Sequence, residues 1–212
     1  MTNRAFEPMT AQCVRDLWDY TIAETNGVWV DKRSDKYQQL IGEFLELANI
    51  QPKSLYITKY MTTLPIPGMK TIFATPFTPG DPTPDFDLEA QADGAPHEGD
   101  HAWYAKKLGA YSFDRDYIFS TPHRSHTESR ANRSMGEVAR ARKGLVLDAE
   151  WLASQMQFYG CAQEIPFSRA ENTSMLIAVN AGGIVEGEFG QKVIDWYRAR
   201  YPEMIMLDPY DA

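Results

Sequence analysis

All four histidines of this 212-residue chain lie within a thirty-residue stretch, at positions 97, 101, 123 and 126. The first two belong to His97-Glu98-Gly99-Asp100-His101, and this pattern constrains the fold more than any other feature. On a helix, residues four apart project from one face, with Cβ atoms about 5–6 Å apart. Two imidazoles so placed can share one zinc ion, and the carboxylate next to the first then faces the water that shares the metal. Zinc lowers the pKa of such a water to about 7, so the carboxylate can take its proton. The spacing therefore demands a helix. Pro96 stands where a first helical residue would, since its missing N–H is unneeded there. We expect the helix to run through His101, Trp103 and Leu108 to a stop at Gly109. The histidines would then occupy its first turns, where Gly99 weakens it by about 1 kcal/mol relative to alanine.

The rest of the chain reads as a single α+β domain over residues 1–212, with helices packed on a small mixed or antiparallel sheet and a chemical core over 70–160. Thr10 opens a helix with Cys13, Val14, Leu17, Trp18 and Ile22 at helical spacing, ended by Asn26-Gly27. Ser34 caps a second helix whose stripe is Tyr37, Leu40, Ile41, Phe44, Leu45 and Ala48. Ser54–Thr63 and Lys70–Phe77 alternate like strands around a Pro65–Gly68 turn. Residues 76–100 hold five prolines, seven acids and no lysine or arginine, and read as a long irregular segment. Alternation at Tyr111, Phe113, Tyr117 and Phe119 predicts a strand over 110–119, and Thr121-Pro122 a loop. An arginine-rich helix follows over 127–143, then a short strand over 144–147. Asp148 caps a helix that turns Trp151, Leu152, Met156 and Tyr159 inward, and Gly160 ends it. Segments 174–179 and 184–189 flank Ala181-Gly182-Gly183 as a hairpin, and a last helix spans 191–201.

Downstream of the histidine pair, Glu128-Ser129-Arg130-Ala131-Asn132 follows a helix ending in Leu108-Gly109. Over His97–Val138 this arrangement resembles the HExxH zinc metallopeptidases of the gluzincin type, whose third ligand is a glutamate on a later helix. The resemblance implies Zn2+ held by His97, His101 and Glu128, with Glu98 as general base and proton shuttle. It implies a protein or peptide substrate and a donor for the oxyanion, for which His123, His126 and Tyr117 are candidates. His126 is the one we name, and it could instead replace Glu128 as third ligand. One departure is that Ala92–Pro96, not a run of apolar residues, precedes the first histidine.

Other classes fit less well. A net charge of −8 argues against general binding of nucleic acid or anionic membrane. No apolar run reaches the roughly 18–20 residues of a membrane helix, and MTNRAFEPMTAQ lacks the apolar centre of a signal peptide. With only Cys13 and Cys161 there is no disulfide framework, so we expect a cytoplasmic protein. The competing expectation is a non-enzymatic subunit of an oligomer, joined through the acidic segment 76–100 and the basic helix 127–143.

Overall fold

The computed structural model describes residues 7–47, 60–144, 147–182 and 187–207. Among them are eight α-helices and a three-stranded mixed sheet, an α+β architecture. Helix α1 (Ala11–Glu24) is capped by Thr10, whose side chain accepts from Cys13 N, and buries Cys13, Val14, Leu17 and Trp18. Asn26, at φ 55°, turns the chain into β1 (Gly27–Asp31). Ser34 starts α2 (Asp35–Leu47) as expected, with Tyr37 and Ile41 buried. Leu40 is half-buried against the same core, and the rest of the expected stripe, Phe44, Leu45 and Ala48, falls where side chains are not described.

Of the two expected strands, β3 (Thr71–Thr75) lies where predicted and β2 (Thr62–Leu64) at the end of its predicted range. Residues 54–59 of that range lie outside the described ones. Strand β3 pairs in parallel with β1 and antiparallel with β2, so β2 has a neighbour on one side only among the described residues. Val30, Ile41, Leu64, Ile72 and Ala74 form a small core between sheet and α2.

The helical half departs further from expectation. Helix α3 runs Leu88–Leu108, starting eight residues before Pro96, so part of the supposed irregular segment is helical. Asp87 caps it, accepting from Ala90 N at 2.7 Å. Pro96 is inside the helix, where a proline removes a backbone bond and crowds the carbonyl four residues back. Burial of Ala92, Ala95 and Ala102 in the main core offsets that cost. Gly99 has a packing reason, because a Cβ there would stand 2.0 Å from the ring of Phe189. Gly109, at φ 86°, ends α3 where predicted.

Residues 110–119 form helix α4 (Ala110–Phe119), not a strand. Phe113 and Tyr117 are four apart as well as on one alternating face, and their rings stack at 5.8 Å; Tyr111 and Phe119 are exposed. Ser120 then caps α5 (Thr121–Lys143), so Thr121-Pro122 is its first turn, not a loop. Gly144 is its left-handed cap rather than a strand residue, and residues 145–146 lie outside the described ones. Helix α6 (Ala149–Ser154) is capped by Asp148 as expected, but Trp151 is exposed. Residues 174–179 belong to α7 (Ile165–Asn180), which removes the hairpin; of its second arm, 184–186 lie outside the described residues and Phe189 opens α8 (Phe189–Arg200).

Helix α5 packs against α3, α7 and α8. Its basic residues are not a solvated face. Arg142, wholly buried, pairs with Glu89 at 3.3 Å, and Lys143 pairs with Asp93 at 2.8 Å. Asp100 accepts from Ser134 at 2.7 Å. The acids of 76–100 and the bases of 127–143 thus meet within one chain. No helix among the described residues is long and apolar enough to cross a membrane.

Candidate metal centre

Placing the histidines in the middle of α3, rather than at its start, buries His101 and largely covers His97. His101 and Glu128 are 7% and 1% exposed. The helical spacing sets the His97 and His101 rings edge to face with centroids 4.9 Å apart. Helix α5 crosses below them and presents Glu128 to both. His97 Nε2 lies 3.3 Å from Glu128 Oε2, and His101 Nε2 lies 3.4 Å from Glu128 Oε1. One ligand atom from each of the three lies within 4.8 Å of the others. Donors at 2.0–2.2 Å from a tetrahedral zinc stand about 3.3–3.6 Å apart. Each imidazole–carboxylate distance has the length of such an edge, the two running to different oxygens of Glu128. Glu128 Oε2 is buried and has no hydrogen-bond partner among the described residues, as a ligand oxygen needs. These residues fit zinc, with one departure. His101 Nδ1 is also unpartnered, whereas a ligating histidine normally donates its second N–H to a carboxylate or carbonyl.

The electrostatics follow from burial and proximity. Burial alone would raise the Glu128 carboxyl, but His101 and His97 outweigh it and hold it far below the usual carboxylate range. Burial likewise opposes charge on His101, yet Glu128 pushes its imidazole up to about 9. Tyr117 Oη donates to Glu128 Oε1 at 2.6 Å. Burial and the Glu128 charge hold the phenols of Tyr117 and Tyr159 well above their ordinary value, so both remain donors.

Glu98 lies beside the cluster, 7% exposed, its Oε2 accepting from Thr63 Oγ1 of β2 at 2.7 Å. Lys32, also buried, donates to the Tyr60 carbonyl and to Thr62 Oγ1, which ties the approach of β2. Burial lowers its ammonium to about 8, against the pull of Glu98. The cluster opens on a cleft of about 560 Å³, lined by β2, by Asp114 and Tyr117 of α4, by Asn132 of α5 and by Trp151 and Phe158–Gly160.

Four of the five residues singled out from the sequence therefore meet: His97, Glu98, His101 and Glu128. His126 does not. Two residues from Glu128 on α5, it points about 200° away around the helix, and its Nδ1 pairs with Glu171 of α7. The fold does not bring it to the cluster as a third ligand or as an oxyanion donor. His123 lies on the same outer side, its ring parallel to Tyr104 at 6.4 Å. Asp100 also faces away from the cluster, towards Ser134 and Arg130. Of the proposed donors only Tyr117 reaches the site. Thr63, Tyr159 and Asp114 were not legible as site residues: they come from β2, the turn at 158–160 and α4, and no shared spacing marks them as a set. No protein family, curated protein or solved structure matches this chain.

Proposed function

We propose that this chain is a zinc-dependent metallopeptidase, acting on a protein or peptide substrate in a reducing, cytoplasmic setting. The observation that carries the reading is the convergence of Glu128 on both histidines at 3.3 and 3.4 Å, with Glu98 beside them in an open cleft. His97, His101 and Glu128 would hold the ion, which when bound supplies Lewis acidity and brings the pKa of water to about 7. Glu98 accepts a proton from the attacking water as its oxygen adds to the amide carbonyl carbon. It then delivers that proton to the departing amine nitrogen as the C–N bond breaks, leaving a carboxylic acid and an amine. Thr63 fixes the orientation of Glu98, and Tyr117 that of Glu128. Tyr159 offers an O–H donor on the cleft wall for the oxygen that gains charge.

A peptide substrate is favoured because β2 lines the cleft along its whole length and is an edge strand among the described residues. Its main chain can pair with an extended peptide. Free, buried Cys13 and Cys161 support the reducing compartment.

The test is zinc per chain by elemental analysis of untagged protein, alongside His97→Ala and Glu98→Gln. We expect about one zinc per chain, lost in His97→Ala. Glu98→Gln should keep the metal and lose hydrolysis of a mixed peptide library. Absence of zinc after metal is added back, or full hydrolysis by Glu98→Gln, refutes the proposal.

A further inference from the structure

Among the described residues, five carboxylates and no lysine or arginine line the cleft. Three of the five are engaged: Asp93 by Lys143 at 2.8 Å, Glu98 by Thr63, and Glu128 by the histidines and Tyr117. Asp85 is exposed to water. Asp114 differs from all of these. Its Oδ2 is buried and accepts no hydrogen bond from the described residues. Withdrawing a carboxyl from water with nothing in return pushes it up to about 7. A cation arriving from outside reverses that.

The position of Asp114 says where such a cation would sit. Asp114 and Tyr117 are one turn apart on the same face of α4, about 4.5 Å along its axis, and Tyr117 holds Glu128. Phe113, the neighbour of Asp114, brings its ring within 6.3 Å of His101. Trp151 and Phe158 line the same cleft and are half exposed, at 54% and 59%. Apolar rings and a carboxylate in one cleft suit a side chain with an alkyl stem and a charged end.

The geometry points to a substrate that carries a basic group close to the scissile bond, with Asp114 as the residue that receives it. This rests on the peptidase reading for the reaction, but the cation site itself does not need the metal. The basic group has two sources, a lysine or arginine side chain or a free amino terminus.

Binding separates these, measured by fluorescence anisotropy on zinc-loaded, full-length Glu98→Gln protein so that no probe is cleaved. The probes are end-blocked apolar peptides with one lysine, the same peptides with norleucine, and an unblocked peptide whose only cation is its amino terminus. We expect the lysine probe, or the unblocked one if the amino terminus is the source, to bind at least tenfold tighter than the norleucine probe. That preference should fall to within about twofold in Asp114→Asn, which is nearly isosteric, and return in part in Asp114→Glu. Equal binding of all three probes overturns the inference, as does a preference that survives Asp114→Asn in folded protein. If the chain takes up no zinc yet shows the Asp114-dependent preference, the peptidase reading falls and the cation site stands. Zinc uptake and hydrolysis without the preference gives the reverse.

Discussion

Helix α3 contains two buried glycines, and alanine at each tests how closely its neighbours pack. Both substitutions gain about 1 kcal/mol of helix propensity. At Gly99 the new methyl would stand 2.0 Å from Phe189 Cε1 and 2.5 Å from Cζ, where ordinary contact begins at 3.4 Å. Phe189 is fully buried and lies against Trp103 at 6.4 Å, so the ring has no solvent to swing into. Overpacking of this kind costs about 1–3 kcal/mol, and a displacement beyond 1 Å belongs at the top of that range. The net effect of Gly99→Ala is a loss of about 2 kcal/mol. At Gly94 the methyl meets only Met61 Cε and Sδ, at 2.2 and 2.4 Å, the far end of a flexible side chain on the cleft wall. That thioether rotates away cheaply, so Gly94→Ala should be neutral or stabilising by up to about 1 kcal/mol. Urea unfolding measures both. With a slope of about 2 kcal/mol/M, the Gly99→Ala midpoint should drop by about 1 M while that of Gly94→Ala holds or rises. A Gly99→Ala midpoint at or above the parent value would refute the packing argument. Equal losses at both glycines would put the cause in the backbone rather than in Phe189.

Two other outcomes follow from the site. The folded-state pKa of Asp114 is raised from 3.8 to about 7, so its protonated form favours folding, and that contribution, full below pH 4, is lost as pH rises through 7. Replacing it with asparagine should leave stability unchanged near pH 4 and raise it by about 1–2 kcal/mol at pH 8, the full three-unit shift being reduced by partial solvent access; a gain that is the same at both pH values would show that titration is not its source. Tyr117→Phe removes the 2.6 Å donor to Glu128 and should weaken zinc tenfold to a hundredfold in a chelator competition, whereas unchanged affinity would show that the hydroxyl does not orient the ligand.

What could be read from the residues was what repeats locally. The helix at Thr10, the caps at Ser34 and Asp148 and the stop at Gly109 each rest on contacts within a few residues, and each is where it was expected. The histidine pair and Glu98 were legible for the same reason, since one turn of helix places all three. The failures share another cause. Phe113 and Tyr117 satisfy a two-residue and a four-residue period at once, and only the tertiary packing of α4 decides between them. Pro96 prefers a first turn, yet burial of its neighbours Ala92 and Ala95 carries the helix through it. Residues 174–179 followed by glycines resemble a hairpin arm until α5 and α6 are present to pack against. Thr63, Tyr159 and Asp114 come to the cleft from three separate elements, so only the folded chain unites them.

The pairs Glu89–Lys143, Asp93–Arg142, Asp100–Ser134 and His101–Glu128 run in opposite order along α3 and α5. They act as successive teeth of a single zip, and all four engage at only one alignment of the two helices. A slide of one turn, about 5.4 Å, would disengage every tooth at once. The ligand triad therefore takes its precision from contacts up to the far end of both helices. An ion seated in it would act as a rivet, locking the alignment that the charged pairs select.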